Sequence, residues 1–245
     1  MNLASPRFSA DIDVFHDREE RVASAVAEDT EASLAHGYCV DWLRREFNFC
    51  SVLVRSGDEA TKLEWVVDSD FRFFPAQQDA LFGYMLHPID LATNKIMAAA
   101  GRREPRDVVD LVMIHDRILP LGAVVWAAVG KSLGFTPEGL INEVRRIARY
   151  TAEDFRRVAS VAPVDPDETM RRLRQALEEA EAFVLRMPTE KAGLLFLKDG
   201  KIVQPDPERL GAYETHAGQR RGHWPTNMEI TAAMFEHYKE KPPGL

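Results

Sequence analysis

The chain of 245 residues is 45% hydrophobic and 29% charged, an ordinary globular balance that excludes a disordered chain. Its formal charge of -8 excludes bulk attraction to a polyanion, so a nucleic-acid partner would need a local basic patch. No apolar run approaches the roughly 20 residues that span a bilayer. The opening MNLASPRFSADID has no basic region followed by an apolar one, so no signal peptide is expected. Cys39 and Cys50 form neither a disulfide framework nor a metal-ligand spacing. A cytoplasmic, globular protein is the expectation.

The segment Arg7-Phe8-Ser9-Ala10-Asp11-Ile12-Asp13-Val14-Phe15 alternates in part between polar and apolar residues, the period of a half-buried strand. Residues 17–36 carry Ala, Val and Leu at helical spacing, and Gly37 is placed to end that helix. Two β-rich runs, Phe47–Arg55 and Lys62–Val67, flank Ser56-Gly57-Asp58-Glu59-Ala60 and predict a hairpin with a turn of several residues. From Phe71 to His87 no period is clean, and a loop with short extended pieces is expected. Helices follow over residues 88–101, with proline in the first turn, and 105–117. Beyond Pro120 the pattern is helical at Leu121–Leu133, Pro137–Tyr150, Ala152–Val161 and Asp165–Leu185. Asp199-Gly200 between Ala192–Lys198 and Lys201–Val203 is a strong hairpin signal, and a last helix is predicted near Asn227–Lys239. These elements predict strands with flanking helices over residues 1–118, then a mostly helical domain over 119–245.

Asp11 and Asp13, with Ser9, share one face of the first predicted strand. Two carboxylates so placed repel unless a cation neutralises them, and Mg²⁺ or Mn²⁺ takes such oxygen ligands. A third carboxylate on a neighbouring strand completes the usual arrangement for phosphoryl chemistry. Glu64, in mid-strand, is the best candidate, and Asp68 has the same parity. A solvated strand edge is the plain alternative. The histidines show no zinc-ligand spacing, and Tyr213–Trp224, with Arg220, Arg221 and His223, is either a surface loop or a nucleic-acid contact.

The phrase over residues 7–15 resembles the metal-binding phrase of the AbiEii/AbiGii toxin family, within the nucleotidyltransferase superfamily typified by DNA polymerase beta. His87-Pro88-Ile89-Asp90-Leu91-Ala92-Thr93-Asn94-Lys95 and Ala100-Gly101-Arg102-Arg103-Glu104-Pro105-Arg106-Asp107-Val108-Val109-Asp110-Leu111 match further phrases in order. The resemblance implies an α+β fold, a nucleotidyltransferase-like mixed sheet with flanking helices over residues 1–118 followed by a mostly helical C-terminal domain, and a toxin of a toxin–antitoxin system. Such a protein binds a nucleoside triphosphate and transfers its nucleoside monophosphate to an acceptor hydroxyl, for some relatives on tRNA. An antitoxin encoded alongside is the implied protein partner. Asp11, Asp13 and Glu64 are the implied catalytic and metal-binding residues. Ser9, Lys95, Arg103 and Arg106 are the implied substrate contacts, with Asp68, Asp90, Asp107 and Asp110 in supporting positions.

Alternatives from the residues themselves stay open. Asp90 in a first helical turn can cap that helix. Asp107 and Asp110, three apart, suit an ion-pair network between helices, and Arg106 can clamp a carboxylate as well as a phosphate. Superfamily members carry a Gly-Gly-Ser or Gly-Ser/Thr phosphate loop about a dozen residues before the first aspartate, where glycine allows close backbone approach. No such loop precedes Asp11, whereas Met1-Asn2-Leu3 resembles the middle of the usual opening helix, so a start further upstream is expected. The competing expectation is a catalytically inactive relative that binds a nucleotide or a partner. A metal-dependent nuclease using the same carboxylates is a third, weaker one.

Overall fold

The computed structural model describes residues 11–16, 19–80, 82–132, 134–160 and 163–220. Ser9, the stretch 221–224 and the helix expected at 227–239 lie outside them.

The N-terminal elements are β1 (Asp11–His16), α1 (Glu19–Ala35), β2 (Cys39–Glu46), β3 (Phe49–Ser56) and β4 (Glu59–Val67). The four strands form one mixed sheet in the order β1-β4-β3-β2, with β1 parallel to β4 and the other pairs antiparallel. Val22 and Val26 of α1 pack on Val52 and Trp65, and the Trp65 indole donates to Asp29 at 2.7 Å. Because side chains alternate along a strand, burying Trp65 on the α1 face turns Lys62 and Glu64 to the other face. The hairpin turn between β3 and β4 is tighter than expected: only Gly57 and Asp58 separate the strands, and Gly57 supplies a positive φ of 58°. Strand β2 was not expected from the sequence. It is an edge strand, exposed along nearly its whole length and bulged between Trp42 and Arg44, so it carries no clean apolar alternation.

Next come short strands β5 (Phe71–Arg72), β6 (Gln77–Asp79) and β7 (Gly83–Met85), then helices α2 (Pro88–Gly101), α3 (Pro105–Arg117), α4 (Leu121–Ala128), α5 (Pro137–Ile147), α6 (Ala152–Phe155) and α7 (Pro166–Val184). Strands β8 (Leu194–Lys198), β9 (Lys201–Val203), β10 (Glu214–Ala217) and β11 (Gln219–Arg220) complete the described chain. All eight residues of α4 are buried, as expected of a helix apolar on every side. It ends well before Leu133, where Gly130 meets Gly193 so closely that a Cβ on Gly130 would lie 2.8 Å from the Gly193 carbonyl oxygen. The helix expected to run from Ala152 to Val161 is a single turn, while α7 begins at an Asp165 cap that accepts from Asp167 and Glu168 N–H. Asp199 and Gly200 both adopt positive φ in the β8–β9 hairpin.

Two apolar cores result. One lies between α1 and the four-stranded sheet; the other gathers α2, α3, α4, α5, α7 and β8 and runs across residue 118. Within the Tyr213–Trp224 stretch, Glu214–Ala217 forms β10 and Gln219–Arg220 forms β11, which pair with β8 and β5. Among the described residues no helix is long and apolar enough to cross a membrane.

Candidate active site

The parallel register of β1 on β4 sets Asp11 beside Lys62 and Asp13 beside Glu64. Carboxylate oxygens of Asp11, Asp13 and Glu64 thereby lie within 4.8 Å of one another. Two cations reach into this acidic group. Lys62 Nζ lies 2.8 Å from Glu64 Oε1 and 3.7 Å from Asp11 Oδ2, and Arg106 of α3 donates to Asp11 Oδ2 at 3.0 Å. Burial, the Asp11 charge, and the hydrogen bond and charge of Glu64 push the Asp13 carboxyl above its ordinary value, with Lys62 opposing. Burial alone would lower the Lys62 ammonium. Its hydrogen bond to Glu64 and the charges of Glu64 and Asp11 prevail over burial and Arg106, and the ammonium is held above its ordinary value.

The donor set suits a hard divalent cation: three carboxylates from two adjacent strands, with no sulfur or imidazole among them.

The other expected residues divide. Arg106 joins the cluster through Asp11. Lys95 pairs with Asp107 at 3.1 Å and Asp110 at 3.0 Å, and both partners are almost fully buried. Asp107 and Asp110 therefore hold α3 to α2, as the ion-pair alternative required. Five residues along α2 rotate Lys95 away from Asp90 and toward α3. Arg103 also turns away from the carboxylates, donating to the Arg149 carbonyl at 2.9 Å and Asp154 at 3.2 Å and lying over the Tyr150 ring. Asp90 does not cap its own helix: it accepts from Phe73 and Phe74 N–H at 2.8 and 3.1 Å, while His87 is the cap. Asp68 binds Arg72, Lys131 and Asn94 at the end of β4, tying the sheet to α2 and to the turn after α4. Burial would raise the Asp68 carboxyl, but Lys131 and Arg72 outweigh it and hold it down.

Two residues beside the cluster were not anticipated. Lys62 sits two positions before Glu64 on the same face, a signal present in the strand pattern itself. Arg102, at the C-terminal cap of α2, grips Asp107 with two nitrogens and feels the Asp13 charge; nothing in the tandem Arg102-Arg103 distinguishes their directions. A separate groove of about 960 Å³ lies between α5 and α7, lined by Arg145, Arg149, Tyr150, Arg171, Arg174 and four acidic residues, and none of its lining belongs to the carboxylate cluster.

No family model matches this chain, and no curated protein does. Among solved structures the chain is similar to MenT4, a nucleotidyltransferase toxin from Mycobacterium tuberculosis H37Rv, at 17% identity and a TM-score of 0.47, over 76% of this chain and 71% of that one.

Proposed function

We propose that this chain is a divalent-cation-dependent nucleotidyltransferase of the AbiEii-like toxin type. The observation that carries the reading is the convergence of Asp11, Asp13 and Glu64 from adjacent parallel strands, the arrangement the motif resemblance required. Mg²⁺ or Mn²⁺ would be held by these three carboxylates and would supply charge neutralisation for triphosphate oxygens and a lowered pKa for the acceptor hydroxyl.

The chain's own groups supply the rest. Lys62 and Arg106 place two positive charges at the rim of the cluster, where they draw in the anionic triphosphate. A carboxylate of the cluster takes the acceptor hydroxyl's proton as its oxygen bonds to the α-phosphorus. The bond from that phosphorus to the β-phosphate bridging oxygen breaks, and pyrophosphate leaves. A tRNA 3′ end is the acceptor that the resemblance favours, and an antitoxin encoded alongside is the partner. A cytoplasmic location follows from that role.

One observation favours a second reading. Lys62 and Arg106 pair directly with Asp11 and Glu64. The cluster would then be a structural ion-pair group, and the chain an inactive relative that binds a nucleotide or a partner.

The test incubates the chain with total RNA, Mg²⁺ or Mn²⁺, and each of four α-labelled nucleoside triphosphates. Transfer of label to RNA with release of pyrophosphate, lost in Asp11→Asn and Asp13→Asn, is expected. Cation binding without transfer under any of the four nucleotides supports the second reading. Absence of both removes the metal centre altogether.

A further inference from the structure

We propose that Lys62 is an exchangeable counter-ion of the carboxylate cluster. It holds Glu64 and Asp11 together when no divalent cation is bound, and it must withdraw for one to bind. The proposal rests on the cation-site reading above and adds a mechanism by which the site regulates its own occupancy.

Lys62 and Glu64 project from the same face of β4, so the ammonium folds along the strand onto the very oxygens a cation needs. Its Nζ touches carboxylates from both strands, at 2.8 Å to Glu64 and 3.7 Å to Asp11. The Asp11 and Glu64 side chains are largely shielded, whereas the Lys62 side chain is 34% exposed and can swing into water. A lysine suits this part: it is a compact point charge on a flexible stem, without the guanidinium's fixed fork. Arg106 also bonds Asp11, yet it comes from α3 rather than from β4, carries the guanidinium fork and contacts only Asp11 of the three carboxylates. Two cations cannot share the same oxygens without mutual repulsion, and unit charges a few ångströms apart repel by enough to move a binding constant about tenfold or more. Once displaced, the ammonium is available to an incoming triphosphate, so cation and nucleotide bind with positive cooperativity.

Mn²⁺ binding is measured without nucleotide, by calorimetry and by loss of the free-ion electron paramagnetic resonance signal. The comparison takes the wild-type chain, Lys62→Met, Lys62→Arg and, as a distant charge control, Lys201→Met. Lys62→Met should bind about tenfold tighter or more. Lys62→Arg keeps the charge and should bind no tighter than wild type, and Lys201→Met should stay close to wild type. Tightening in Lys62→Met with no detectable binding in wild type supports the proposal equally. If wild type binds and Lys62→Met binds no tighter, the counter-ion role is overturned while the metal centre stands. If Lys62→Arg tightens as much as Lys62→Met, charge is not the cause and the role is likewise overturned. If neither wild type nor Lys62→Met binds Mn²⁺, the metal centre itself fails.

Discussion

Replacing Lys95 by Met separates a structural lysine from a phosphate-binding one. Lys95 bridges Asp107 and Asp110, whose side chains are 2% and 0% exposed, while its own is 14% exposed. Removing one partner of a buried pair leaves uncompensated charge and costs about 3–5 kcal/mol. Asp107 keeps Arg102, at 2.9 and 3.0 Å, so the lower end applies: about 3 kcal/mol. For a chain of this size that corresponds to a fall of about 6–12 °C in Tm. Urea unfolding followed by tryptophan fluorescence is a direct assay, because Trp126 of α4 is buried in the core that α2 shares. The double variant Lys95→Met/Asp110→Asn removes the orphaned charge as well and should regain about half of the loss. The pH dependence gives an independent reading. Burial would raise the Asp107 carboxyl, but Arg102 and Lys95 outweigh it and hold it below 3.8. The stability this contributes is full above pH 3.8 and is lost as pH falls through the lower folded value. Lys95→Met should therefore flatten the acid limb of the stability profile. A loss under about 1 kcal/mol, together with abolished nucleotide binding, would refute the structural assignment and return Lys95 to the triphosphate.

Asp13→Asn should separate stability from cation binding. The Asp13 carboxyl is held above 3.8 by burial, Asp11 and Glu64, so ionising it costs more in the folded chain than in the unfolded one. Asn should raise stability by about 0.5 kcal/mol, a small figure because Asp13 still reaches solvent, and should abolish Mn²⁺ binding. As pH falls through the raised folded value the wild type should gain on the variant, and a thermal-melt series that diverges instead contradicts the charge assignment. His87→Asn tests the cap of α2. His87 Nδ1 accepts from Ile89 N–H at 3.2 Å and must be unprotonated to do so. Burial and His216 lower its pKa, against Asp90, so its contribution is full above pH 6.5 and fades as pH falls toward the depressed folded value. Asn keeps a capping oxygen and should match wild type at pH 8 but exceed it by about 1 kcal/mol at pH 5, measured by urea unfolding. Equal pH profiles for the two proteins would show that the cap does not titrate.

The acidic half of the candidate site was legible in the sequence because it depends on a local rule. Side chains alternate along a strand, so Asp11 and Asp13 necessarily share a face, and the apolar register of Leu63, Trp65 and Val67 fixes where Glu64 points. Bringing the two strands together takes a parallel pairing of β1 with β4, which the strand pattern alone does not specify. The basic half followed no such rule. Lys95, Arg102, Arg103 and Arg106 lie within one short stretch around the α2–α3 junction, yet they end in three places: Lys95 and Arg102 on Asp107, Arg103 on Asp154, and Arg106 on Asp11. Their directions are set by how α3 packs against α2 and by where α6 and the sheet sit, none of which local periodicity encodes. Strand β2 was hidden for a related reason: exposed at every residue but Val40, it has no buried stripe to reveal a period of two. Lys62 shows what this asymmetry implies for a site built from opposite charges. Carboxylates can be located by the element they sit on, but the cation that balances them is known only once the elements are packed, and here one such cation had been on the same strand face throughout.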